Sequence, residues 1–175
     1  MIIGYGYDSH IFEKNRKLIL AGIEIPYELG LKGHSDADVI SHSLIDSIFG
    51  ALALGDIGSH FPDNDNKYKD ISSIKLLEET IKLMEEKEYI ISNTDITIIL
   101  EKPKLRDYID SMRENLSKAL KTKIENVSIK AKTNERMDAI GRGEGIAVHC
   151  VSLLKKINEE ELIWQIKLLQ NIYSI

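Results

Sequence analysis

The chain is predicted to be an α/β (α+β) protein: a two-layer sandwich with a mixed β-sheet and helices on one of its faces. Three observations carry that prediction. Strand-like and helix-like segments alternate along 175 residues with no internal repeat or low-complexity linker, which points to one layered core. A wide apolar stripe at helical spacing, Val39, Ile40, Leu44, Ile45, Ile48, Phe49 and Leu52, marks a helix buried against that core. Several runs alternate with period two and are bounded by turn-forming residues, as strands with one buried face do.

Taken in order, residues 2 to 8 alternate loosely and read as a strand. Lys17 to Ile25 reads as a second, with Asn15 marking the turn and Pro26 closing it. Gly30 to Ser35 reads as a loop, and Ser35, Asp36 or Asp38 is placed to cap the core helix. Gly55 to Asp65 is rich in turn formers and reads as a connecting loop. Ser73 to Lys87 is an amphipathic helix that turns Ile74, Leu77, Ile81 and Met84 inward. Asn93 to Leu100 alternates as a strand, Pro103-Lys104 ends it, and a helix follows from Leu105 to Leu120. Val127 to Ala131 and Ile146 to Leu154 read as strands joined by a polar loop, and Glu159 to Tyr173 as a last helix capped by Asn158. The main domain is expected to span residues 1–156, with 157–175 a helical extension of it. A sheet covered by helices on one side needs a cover on the other, and the simplest is another copy of the chain.

Composition removes several function classes. A net charge of −5 without a basic cluster argues against general affinity for nucleic acid. No apolar run is long enough to span a bilayer, and no charged-then-apolar leader precedes residue 8, so the chain reads as cytoplasmic, or as a mature form with its leader already removed. Its one cysteine, Cys150, lies in an apolar run and reads as a buried, inert thiol of a reducing compartment.

Two short segments carry the chemistry. Asp8 and His10 stand two apart on the first strand and share a face, while Asp38 and His42 stand four apart at the start of the core helix and stack on one side. Two elements can thus aim carboxylate and imidazole groups at one ion, a donor set suited to a catalytic zinc with an open position. Spacing alone leaves Asp38 a rival ligand. Gly141 to Gly145 is not a nucleotide phosphate loop, since it lacks the Gly-Lys-Ser/Thr ending and leads into a strand.

Five separated blocks, Gly4-Tyr5-Gly6-Tyr7-Asp8-Ser9-His10, His34-Ser35-Asp36-Ala37-Asp38, Ala53 to Gly58 with Phe61-Pro62-Asp63, Pro103-Lys104, and Gly141-Arg142-Gly143-Glu144-Gly145-Ile146-Ala147, closely resemble the 2-C-methyl-D-erythritol 2,4-cyclodiphosphate synthase family. The resemblance implies a homotrimer, assembled through the open sheet face, with active sites between subunits. The implied reaction is cyclisation of 4-diphosphocytidyl-2-C-methyl-D-erythritol 2-phosphate with release of CMP, a step of non-mevalonate isoprenoid synthesis. It assigns one zinc per subunit to Asp8, His10 and His42, demotes Asp38 to capping or support, and places a second divalent ion, magnesium or manganese, near Glu135. His34 and Thr133 become transition-state stabilisers. Ser35, Asp56, Ile57, Gly58, Phe61, Asp63 and Asp65 become contacts for the methylerythritol part, and Leu100, Lys104, Leu105, Arg106, Ala131 and Lys132 line the nucleotide pocket. Arg142 is a further substrate-binding candidate. The chain departs from the family pattern at Lys132 and at Asp138-Ala139, and 158–175 runs past the usual end. Two rivals are a metal- or nucleotide-binding module that has lost turnover, against which the presence of Asp8, His10, His42, His34, Thr133 and Glu135 together argues, and a zinc hydrolase, against which the missing general base argues.

Overall fold

The computed structural model describes residues 1–62, 64–68 and 71–157; the expected terminal helix and Asp63 lie outside the described residues. A five-stranded mixed sheet has the order β4-β1-β7-β5-β6, built from β1 (Ile2–Lys14), β4 (Leu29–Leu31), β5 (Tyr89–Ile99), β6 (Val127–Lys132) and β7 (Gly145–Lys156). Only β5 and β6 run parallel, joined through helix α4 (Ile109–Ala119). Helices α1 (Val39–Ala51) and α3 (Ser73–Glu86) lie with α4 on one side, and together they enclose the core with Leu44, Ile45, Ile48, Phe49, Leu77, Ile81, Met112 and Leu116. Every member of the predicted stripe except Leu52 is fully buried. The expected two-layer sandwich is the fold.

Several boundaries differ from the sequence reading for tertiary reasons. Lys17 to Ile25 is not one strand but the hairpin β2 (Leu18–Leu20) and β3 (Ile23–Ile25). Its two-residue turn places Ala21 and Gly22 at φ 51° and 72°, a primed-turn geometry for which alanine is no signal. The stretch read as a loop from Gly30 starts inside β4, which pairs with the end of β1. That partner, together with β7, carries β1 on to Lys14. Strand β5 starts four residues before Asn93, and a register shift between Ile91 and Asn93 hides its alternation. The helix expected from Leu105 begins as a 3-10 turn over Arg106–Tyr108. Short helices α2 (Ile57–His60) and α5 (Asp138–Gly141) interrupt the two segments read as loops.

Helix α1 rests almost directly on the backbone of β1. A Cβ added at Gly4 would stand 1.8 Å from the Ser47 carbonyl oxygen, and one at Gly6 the same distance from that of Ser43. The next layer is also small: Ser47, Thr94, Cys150 and Ser152 are fully buried, with Ser47 Oγ and Ser152 Oγ 2.5 Å apart. Burial pushes the Cys150 thiol up, against the hydroxyls of Thr94, Ser47 and Ser152, so it stays protonated and unreactive. The opposite face of the sheet carries exposed Ile3, Tyr5, Tyr7, Ile11 and Val151. Among the described residues no helix is long and apolar enough to cross a membrane.

The close seat of α1 makes Gly6→Ala destabilising by about 1–3 kcal/mol or more, because backbone must move to admit the methyl. Gly50→Ala, whose Cβ finds 3.6 Å of room from the Tyr5 carbonyl, should stabilise by about 0.5–1 kcal/mol through helix propensity. Urea unfolding midpoints at constant slope check both; equal effects would contradict the packing.

Candidate metal centre and substrate cleft

Strand β1 and helix α1 bring the three sequence-predicted ligands together. The even residues of β1 face the helices, so Asp8 and His10 follow Gly4 and Gly6 on that side. The glycine seat lowers α1 until His42 reaches the same point. Asp8 Oδ2 lies 3.0 Å from His10 Nε2 and 3.0 Å from His42 Nδ1. One ligand atom from each of the three residues lies within 4.8 Å of the others.

The outer edges of both rings are occupied. His10 Nδ1 is 2.6 Å from the Lys32 carbonyl oxygen, which only accepts, so that nitrogen carries the proton. His42 Nε2 is 2.9 Å from Ser73 Oγ and 3.2 Å from Ser35 Oγ. With a neutral ring in this orientation, His10 Nε2 would turn a lone pair on an acceptor-only carboxylate, and His42 Nδ1 would do the same wherever its Nε2 carries the N–H. A proton or a divalent cation between His10 and Asp8 relieves that opposition, and a cation can serve both rings at once. The donor set, two imidazoles and one carboxylate with room on one side, fits a tetrahedral ion that keeps an open position. Burial works to raise the Asp8 carboxyl, but the hydrogen bonds and charge of His10 and His42 hold it well below the usual carboxylate range. Burial works to lower His10, and Asp8 with the Lys32 carbonyl raises it instead.

Asp38, the rival ligand by spacing, is elsewhere. Fully buried, it caps α1, accepting from the backbone N–H groups of Ile40 and Ser41 and from Ser41 Oγ. It also accepts from Ala21 N at 2.8 Å and Gly22 N at 2.7 Å, which ties the β2-β3 turn to the helix.

The triad forms one wall of a cleft of about 500 Å³ that includes His34, Ser35, Ile57, Gly58 and Phe61. Asp56 caps α2 through Ser59 N at 2.8 Å, and Asp65 accepts from Lys67 N at 2.9 Å. The cleft also has members that sequence reasoning did not select: Glu13, Lys32, Asp46, Tyr68 and Leu76. Of these, Asp46 had a signal, since it stands one helical turn beyond His42; its Oδ1 accepts from Ile57 N at 2.7 Å and so holds α2 against α1.

The remaining residues sit apart. Leu100, Lys104, Leu105, Ala131, Lys132 and Thr133 line a small pocket where the parallel strands β5 and β6 end, with Leu100 and Leu105 buried as its apolar floor and Arg106 exposed beside it. Thr133 Oγ1 donates to Glu135 Oε1 at 2.5 Å. Arg142 pairs with Glu144 at 2.6 Å in a third cleft beside Tyr27 and Glu101. The chain therefore presents the triad side and the Thr133 side as separate surfaces.

A mixed sheet with helices on one face, carrying an Asp-His-His cluster in a cleft, defines an α+β protein with a candidate metal site. Residues 1–155 match the model of the YgbB family, and the chain belongs to that family. Within it the chain belongs with the 2-C-methyl-D-erythritol 2,4-cyclodiphosphate synthases. It is 84% identical to the protein of that name from Brachyspira hyodysenteriae, over 89% of this chain and 99% of that one. It is 56% identical to the one from Desulfitobacterium hafniense, over 89% and 98%. Among solved structures, the bifunctional IspDF from Campylobacter jejuni superposes with a TM-score of 0.87 at 41% identity, covering 90% of this chain and 42% of that longer chain. The CDP complex of IspF from Plasmodium falciparum superposes with a TM-score of 0.79 at 34% identity, covering 90% and 97%.

Zinc added to metal-free protein is expected to raise the thermal midpoint and to release protons, read by calorimetry in buffers of different ionisation enthalpy. Because the His10 pKa is raised, a proton competes for its Nε2 over a wider range, and apparent zinc affinity should fall as pH falls through that pKa. Affinity that is flat from neutral to acidic pH would contradict the site.

Proposed function

We propose that the chain converts 4-diphosphocytidyl-2-C-methyl-D-erythritol 2-phosphate into 2-C-methyl-D-erythritol 2,4-cyclodiphosphate and CMP. The observation that carries this reading is the convergence of Asp8, His10 and His42 in a cleft that also holds His34 and Ser35, in a chain so similar to the synthases. In the reaction an oxygen of the 2-phosphate forms a bond to the β-phosphorus, and the bond from that phosphorus to the bridging oxygen breaks, so that the electron pair leaves with CMP. Zinc on the triad and magnesium or manganese at Glu135, when bound, would supply charge neutralisation and polarisation of the diphosphate.

The protein's own task is positioning. The attacking phosphate is already ionised, so no side-chain nucleophile or strong base is required, and folding the substrate back on itself makes the attack intramolecular. Exposed His34 on one side and the Thr133 hydroxyl on the other are the donors assigned to the transferring phosphoryl oxygens. Backbone and hydroxyl groups of Ser35, Ile57 and Gly58, with the Asp56 and Asp65 carboxylates, suit a polyol. Lys104 and Lys132 provide cations next to the pocket of Leu100 and Ala131, where the cytidine part is placed.

The separation of the triad cleft from the Thr133 pocket within one chain supports a site completed by a second subunit. The exposed Ile3, Tyr5, Tyr7, Ile11 and Val151 supply an apolar face for assembly, and a trimer closes it. Residues 1–156 form the catalytic unit in this reading, and the free, buried Cys150 suits a cytoplasmic enzyme.

Phosphorus NMR of the cytidyl substrate with zinc and magnesium should show CMP appearing with wild type, whereas His42→Ala should lose both CMP release and bound zinc while keeping its circular dichroism. Full turnover by metal-depleted His42→Ala would end the proposal. In light scattering the protein should have about three times its chain mass of 19.8 kDa; an active monomer would contradict the shared site.

A further inference from the structure

We propose that Ser73 and Asp36 act as a positioning relay for His42, fixing which of its ring nitrogens is bare and therefore available to a metal ion. The inference rests on the reading of Asp8, His10 and His42 as a metal centre, and it assigns a role to two residues outside the ligand set.

Ser73 is fully buried at the first position of α3, 31 residues from His42 in sequence. Its Oγ donates to Asp36 Oδ1 at 2.5 Å, and its backbone N–H donates to Asp36 Oδ2 at 3.0 Å. A hydroxyl has one proton, and a carboxylate only accepts. Once that proton is committed to Asp36, Ser73 Oγ can meet His42 Nε2, 2.9 Å away, only as an acceptor. With the Ser35 hydroxyl proton turned to Ser73 Oγ, 3.4 Å away, the ring carries its N–H on Nε2, and the Nδ1 lone pair turns inward to Asp8 and the ion. Ser35 Oγ, at 3.2 Å, adds a longer contact on the same edge.

The device mirrors that at His10, where the Lys32 carbonyl puts the proton on Nδ1 and leaves Nε2 facing inward. The two ligands thus enter through different nitrogens, each selected by the group behind it. At His10 the selector is backbone and no side-chain substitution removes it. At His42 it is a side chain, which makes the selection testable. Outer partners of this kind orient a ring and raise its basicity, and their loss costs about 10- to 100-fold in metal affinity.

A purely structural role for Asp36 is the competing account. Ser72, the residue before α3, makes no side-chain cap, and Asp36 supplies one from a distant loop by binding Ser73 N. Ser73→Ala separates the two roles, because it keeps that backbone contact and removes only the hydroxyl. Asp36→Asn separates them differently. Its amide oxygen can keep Ser73 N, but its NH2 then donates to Ser73 Oγ, and the hydroxyl proton turns to His42 Nε2. The ring N–H is pushed to Nδ1, where it blocks the ion.

The test pairs zinc dissociation constants, from competition with a chromophoric chelator, with ring nitrogen NMR of the metal-free protein. Ser73→Ala should weaken zinc binding about 10- to 100-fold with an unchanged circular dichroism spectrum. Asp36→Asn should weaken it at least as much and shift His42 from the Nε2–H to the Nδ1–H pattern. Zinc binding within twofold of wild type in Ser73→Ala, or a wild-type ring pattern in Asp36→Asn, overturns the relay while leaving the metal centre in place. Failure of wild type itself to bind zinc removes the metal centre and the relay together. Should Ser73→Ala not fold, the ring pattern of Asp36→Asn decides alone.

Discussion

The seating of α1 on β1 is the contact on which the remainder of the structure depends. Gly4 and Gly6 leave the strand backbone bare, and the Ser43 and Ser47 carbonyls come down into the space where Cβ atoms would stand. Two consequences follow from the same geometry. The core can be finished with small, mutually bonded side chains, Ser47, Thr94, Cys150 and Ser152, instead of bulky ones. One turn further along, where β1 changes from glycine to Asp8 and His10, the closeness of the two backbones sets His42 within hydrogen-bond reach of Asp8.

Around that point the protein places charged and polar groups in layers. Asp8 is held between two imidazoles whose outer nitrogens are engaged, one by a carbonyl and one by hydroxyls. Behind them, Asp36 and Asp38 look alike in sequence but serve different helices: Asp38 caps α1 and grips the β2-β3 turn, whereas Asp36 reaches α3. The loop before α1 thereby joins three elements. Asp46 extends the arrangement by holding the α2 backbone, and with it Ile57 and Gly58, beside the triad.

The grouping of the other candidate residues has a functional logic for an enzyme of this family. Thr133, Glu135, Lys104 and Lys132 gather at the ends of β5 and β6, on a different part of the surface from the triad. The Tyr5 and Tyr7 side of the sheet meanwhile leaves apolar surface exposed.

Much of this was legible in the residues. Periodicity determined the sheet-and-helix architecture and the buried stripe of α1, because an amphipathic segment must bury one face whatever its partner. The Asp-x-His pair and His42 were recognisable as candidate ligands, since their chemistry and spacing are local properties. Other features needed the tertiary fold. The hairpin turn at Ala21-Gly22, the extension of β1 to Lys14 and the early start of β5 were decided by partners distant in sequence. Local spacing offered Asp38 as readily as Asp8 to a metal ion, and only the packing of α1 against the β2-β3 turn made it a cap. The Asp36 and Ser73 contact behind His42 spans 37 residues, so no local pattern could contain it; it exists because α3 begins where the loop before α1 ends.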